Sequence, residues 1–218
     1  MSAQFPYPLE LFDRFRNIHE SDVYGVIRFY ENHKEELNLM PFEERFIMLC
    51  YYSNALFAAE EYQQHLEYAQ EVLEASIVGG VQYVDGFDVY LHTLSQKIDS
   101  HIHLKELDNA IKTCNQVLAI SNNNSKKTLA QMKRALLLKR PIWVQKAFAL
   151  AIFAMIIWTG AELLRMLVFE HFYPLVNTFV LFLQFTALPF AILIGLTAIF
   201  GHYFFVIIEL QKAKQKFK

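Results

Sequence analysis

The chain has 218 residues, enough for one ordinary domain plus an appendage, and its net charge of −2 hides a split. Residues 1–122 carry 8 Lys/Arg against 19 Asp/Glu, whereas residues 123–218 carry 12 against 3. Two cysteines exclude a disulfide framework and a paired-cysteine zinc motif, and the acidic first half argues against nucleic-acid binding, which relies on basic patches.

The first half reads as helix throughout. Apolar residues recur at three and four, as in Val23, Ile27, Tyr30 and in Phe46, Leu49, Cys50. The pattern predicts helices over 8–18, 22–37, 42–59, 61–77, 84–103, 105–120 and 126–140, with little strand. Pro41 suits a helix start, and Gly79-Gly80 is the clearest break. Cys50 and Cys114 read as small buried packing residues. "SNNNS" (121–125) is a polar turn able to cap the helix that follows.

Two of these segments resemble each other. "EYQQHLEYAQEVL" (61–73) aligns with "ELDNAIKTCNQVL" (106–118). Tyr62 falls on Leu107, Leu66 on Ile111, Ala69 on Cys114, and Val72-Leu73 on Val117-Leu118, a spacing of 45 residues. The alternation of large and small residues resembles the second helix of a tetratricopeptide repeat, although that family's usual period is about 34 residues. The position usually filled by alanine is His65 in one copy and Ala110 in the other. "DVYGVIRFYENH" (22–33) looks like a degenerate third copy. The resemblance covers roughly residues 20–121 and implies an α-solenoid, in which stacked helix pairs share a core and leave a concave groove. Carried over by register, the groove positions are Ile47, Asn54 and Phe57 in one repeat and His92, Ser95 and Asp99 in the next.

Residues 126–140, "KKTLAQMKRALLLKR", are basic, with Leu129, Met132, Leu136 and Leu137 on one side. Such a helix suits either an anionic membrane surface or the capping of a solenoid. Two apolar runs follow, about 142–169 and 175–209, each longer than the roughly 20 residues that cross a bilayer. No apolar run opens the chain, so no secretory signal peptide is expected. Seven cations from Lys126 to Lys146 precede the first run, and Lys212, Lys214, Lys216 and Lys218 follow the second. The loop "EHFYP" between them has no Lys or Arg, which places both termini in the cytoplasm. Glu162 and Arg165 interrupt the first run; Gln184 and His202 are polar positions in the second. At i and i+3 the Glu162–Arg165 pair shares one helix face and lies about 30 Å from Ile142, near the far boundary of the hydrocarbon. Gln184, His202 and Glu209 are candidates to join it in a polar path. In the second run Pro189 predicts a kink with Thr186 close to the freed backbone group, and Gly195 and Gly201 predict close helix approach.

The expected fold is all-α: a short tetratricopeptide-like solenoid (1–122), a basic connecting helix (123–141), a transmembrane hairpin (142–210) and a basic tail (211–218). No phosphate-binding loop, nucleophile elbow or metal motif occurs, and "HIH" (101–103) does not converge on a helix, so no catalytic, cofactor or metal site is expected. The expected role is an adaptor that recruits a protein or peptide partner, of basic or apolar character, to the cytoplasmic face of a membrane. The alternative is a sensor whose hairpin assembles into a homo-oligomeric pore or membrane-disrupting effector. Short loops favour a bacterial inner membrane. The C-terminal "KQKFK", which looks like a dilysine retrieval signal, supports the endoplasmic reticulum as the alternative.

Overall fold

Helices form where the three-and-four spacing of apolar residues called for them. The structure, a computed structural model, describes residues 8–19, 21–120, 125–169 and 174–216. In the first half α1 is Pro8–Arg16, α2 Val23–Asn32, α3 Lys34–Leu37, α4 Phe42–Ala58 and α5 Tyr62–Gly79. A two-residue ladder, β1 Tyr83–Val84 with β2 Phe87–Asp88, precedes α6 Val89–His103, and α7 Leu107–Ile120 and α8 Ser125–Leu138 follow. The class is all-α, with that ladder as its departure. Residues 84–88, expected as the start of a helix, form a hairpin instead. Asp85 and Gly86 both take positive φ, 48° and 82°, as a two-residue hairpin turn requires. Asp88 then caps α6, its Oδ1 accepting from the Leu91 amide at 2.9 Å.

The two aligned segments repeat in backbone as well as sequence. The turn joining α4 to α5 has Glu60 at φ 63°, with Glu60 N donating to Phe57 O and Glu61 N to Leu56 O. The turn joining α6 to α7 has Lys105 at φ 62°, with Lys105 N donating to Ile102 O and Glu106 N to His101 O. Both are the left-handed helix terminus that satisfies the last carbonyls, set 45 residues apart. Burial repeats at the same offset. His65 and Ala110 are each 0% exposed, as are Ala69 and Cys114, and Val72 and Val117 are 1% and 2% exposed. Burial lifts the Cys50 and Cys114 thiols to about 12, as suits packing residues.

Contacts divide the chain into two units at Ala135/Leu136. In the first, the core gathers α1, α2 and α4, with Val72 of α5 and Val89 of α6. Tyr30 stacks on Tyr52 with centroids 4.1 Å apart, and Tyr68 meets both rings edge-on. In the second, α9 Ile142–Leu164 continues as a π-turn over Arg165–Phe169 and packs against α10 Pro174–Lys216. Both helices are long and apolar enough to cross a membrane, and their large apolar side chains are mostly exposed. Gly201 admits Trp143: a Cβ there would stand 2.9 Å from the indole ring. Gly195 has nothing within 4 Å and makes no such approach. Pro189 does not end α10. Thr186 donates to the carbonyl of Phe182 at 3.1 Å, whereas the carbonyl freed by Pro189 is that of Phe185. The excess length of α10 runs on past Gly201, about 22 Å beyond the level of Trp143 by helical rise.

Candidate functional site

Three of the six groove positions come together. Ile47 and Asn54 on α4 and His92 on α6 line one cavity of about 840 Å³, whose wall also takes Phe12, Phe15 and Ile18 from α1 and its loop. Ile47 and Asn54 are seven residues apart, two turns of one helix face, and His92 joins them because α6 packs beside α4. The hairpin closes one side. Asp85 at its tip accepts from the Tyr51 hydroxyl at 2.8 Å, and Phe87, 64% exposed, stands at the rim. Burial, helped by the nearby Lys127, lowers the pKa of His92 and keeps its ring neutral at pH 7. The cavity is therefore apolar at its base, with an amide, a neutral imidazole, a carboxylate and Arg16 around its edge.

The other three positions go elsewhere. Phe57 turns towards α5, with its ring 5.2 Å from His65 and 6.0 Å from Tyr62. Ser95 and Asp99 are engaged by α8: Gln131 Nε2 donates to Asp99 Oδ2 at 2.8 Å and to the Ser95 carbonyl at 3.1 Å. At that end of the repeat a helix lies where an open groove was expected. The hairpin was missed as a cavity wall, although Asp-Gly between "QYV" and "FDV" is a strong turn signal. His101 and His103 point apart, His101 Nδ1 to Glu106 at 2.8 Å and His103 stacked on Tyr62 at 4.5 Å. Among the described residues no three His, Cys, Asp or Glu side chains are placed to hold a metal ion.

The polar residues of the hairpin separate into two ends. Glu162 and Arg165 pair through two bonds, Nη2 to Oε1 at 2.6 Å and Nε to Oε2 at 3.2 Å, with side chains 26% and 23% exposed. His202 lies beside Gly201 and Trp143 and shares a 3.2 Å hydrogen bond with the Leu137 carbonyl. Glu162 is 19 residues beyond Trp143, about 28 Å by helical rise, so His202 cannot join the pair in one path. Glu209 pairs with Lys212 at 2.8 Å, further still along α10. The backbone of Gln184 sits 17 residues before Gly201, near the level of Glu162 by count; its side chain and the loop residues 170–173 lie outside the described residues. No family model, curated protein or solved structure matches this chain.

Proposed function

We propose that this protein is a membrane-anchored adaptor. Its head is a tetratricopeptide-like solenoid that binds a protein partner, and α9 and α10 are the spans that hold it at the bilayer. The observation that carries the reading is the convergence of Ile47 and Asn54 of α4 and His92 of α6 on one cavity of about 840 Å³. A cavity of that size, apolar with a few polar groups at its edge, suits an anchoring side chain of a bound segment. The 19 acidic against 8 basic residues of the first 122, with Asp85 at the rim, favour a partner with basic flanks. Exposed apolar surface along both α9 and α10 requires lipid or protein to cover it, and cations on both flanks with none in the loop favour cytoplasmic termini.

The test is a photo-crosslinking residue at Asn54 in intact cells, with one at the exposed Gln63 as control. Asn54 should capture a defined protein that Ile47→Arg releases; equal, nonspecific capture at both sites would sink the reading. A second reading, that the hairpin assembles as an effector, draws on the partly buried Glu162–Arg165 pair. Exchanging α9 and α10 for an unrelated hairpin separates the two. An adaptor keeps its captured partner and its cellular role, whereas an effector loses that role.

A further inference from the structure

The basic helix α8 admits two different relations to a bilayer. An in-plane amphipathic helix buries its apolar face among acyl chains, whereas a helix whose apolar face is already covered touches lipid only through its charges. The structure decides between them. Thr128, Gln131, Met132 and Ala135 recur at three and four and are all buried, Ala135 completely. Gln131 is held by Asp99 and Ser95 of α6. Over residues 128–135 the buried face is spent on the head, and the exposed Leu137 and Leu138 lie beyond the cationic stripe, next to the start of α9.

The opposite face is cationic. Lys126 and Lys133 are seven residues apart, as are Lys127 and Arg134, so the four share a stripe about two turns long, pointing away from the buried face. All four are exposed. Arg134 precedes Ile142, the first residue of α9, by eight residues in sequence, and Lys139 and Arg140 fill the gap. On the reading of α9 as a span, the chain length alone holds Arg134 within about 28 Å of the residue at which α9 begins. The remainder of the head is acidic and gains nothing from a negatively charged surface.

We infer that the Lys126, Lys127, Lys133 and Arg134 face of α8 binds anionic phospholipid headgroups by charge alone, without inserting into the bilayer. The contact needs a negative surface and is screened as salt rises, because no buried apolar area supports it. This inference rests on the membrane reading of α9 and α10, and the experiment keeps the two apart.

The full chain is reconstituted into vesicles of phosphatidylcholine alone or with one third phosphatidylglycerol, and the acylation rate of the α8 lysines is measured. Phosphatidylglycerol should slow acylation of Lys126, Lys127 and Lys133 at least threefold, and 0.5 M salt should restore the rate. In micelles the parent should retain phosphatidylglycerol over phosphatidylcholine by about tenfold, and a variant with all four cations changed to Gln should lose most of that preference. A variant with the three lysines changed to Arg should keep it, which rules out a folding defect as the cause. Equal acylation in both vesicles would overturn the inference, as would protection that survives high salt, which signals insertion. Competition by millimolar inorganic phosphate would instead mark a discrete phosphate site, and displacement of lipid by a homopolymeric RNA a nucleic-acid surface; either result overturns it too. Carbonate extraction of the same vesicles reports on the spans: a chain that stays in the pellet but ignores phosphatidylglycerol refutes this inference alone.

Discussion

His65 is fully enclosed, its Nδ1 sharing a 2.8 Å hydrogen bond with the Ser100 hydroxyl. Burial drives its pKa down to about 4, and the nearby cation Lys97 works in the same direction. Below pH 6.5 the unfolded chain takes up a proton that the folded chain refuses until about pH 4. Stability attributable to this residue is therefore whole above pH 6.5 and falls through that window, by on the order of 3 kcal/mol. Its neighbours act in the same direction. Burial lowers the pKa of His101, and hydrogen bonds from Asn109 and His101 hold the Glu106 carboxyl below its usual range. Thermal melts of the parent from pH 7.5 to 4 should fall steeply, and His65→Gln should flatten much of that slope. An unchanged slope would mean that the ring is protonated inside the fold. The sequence alignment found this position as an exception to alanine, but the pairing with Ser100 needed the packing of α5 on α6 to be seen.

Periodicity identified the helices because burial follows the three-and-four spacing; it failed where a single dihedral decides the structure. Asp85-Gly86 turns the chain by positive φ, and the apolar residues beside it mimic a helical stripe, so residues 84–88 read as helix. The turns at Glu60 and Lys105 fall where the expected helices break, but their left-handed backbone was not legible, because neither residue is glycine. Such a residue costs roughly 1–2 kcal/mol relative to a right-handed one, a cost that glycine avoids. Lys105→Gly should therefore raise the melting temperature, by the equivalent of about 0.5–1 kcal/mol after the added freedom of the unfolded chain is counted. Lys105→Ala, which keeps the strain, should not. Equal effects of the two would show that the turn is not the source. The groove positions divide by the same logic. Ile47 and Asn54 share a face by helical register and meet His92 across α4 and α6, whereas Ser95 and Asp99 are covered by Gln131 of α8, a helix the sequence offered as a cap without saying which residues it would cover.

At the scale of the whole chain, the adaptor reading turns on which side of a bilayer each part would occupy. The hairpin packs Trp143 beside Gly201, so the start of α9 and the C-terminal part of α10 lie at one end, with the Glu162–Arg165 pair at the other. The end near Trp143 adjoins the cations Lys139, Arg140 and Lys146, and α10 continues beyond it to Lys212, Lys214 and Lys216. Positive charge near span ends is retained in the cytoplasm, so head and tail should share that compartment and the loop around His171 should face outward. Single cysteines at His171 and Gln215 test this in a background with Cys50 and Cys114 replaced. In intact cells an impermeant maleimide should label the first and leave the second unmodified until the membrane is opened. Both native cysteines are buried, so Ser or Ala replacements need a melt to confirm that the head still folds. Labelling at Gln215 in sealed cells would place the tail outside. Labelling at both would mean that the second helix does not return, and a head on the opposite side from the tail would remove the geometry on which the adaptor reading depends.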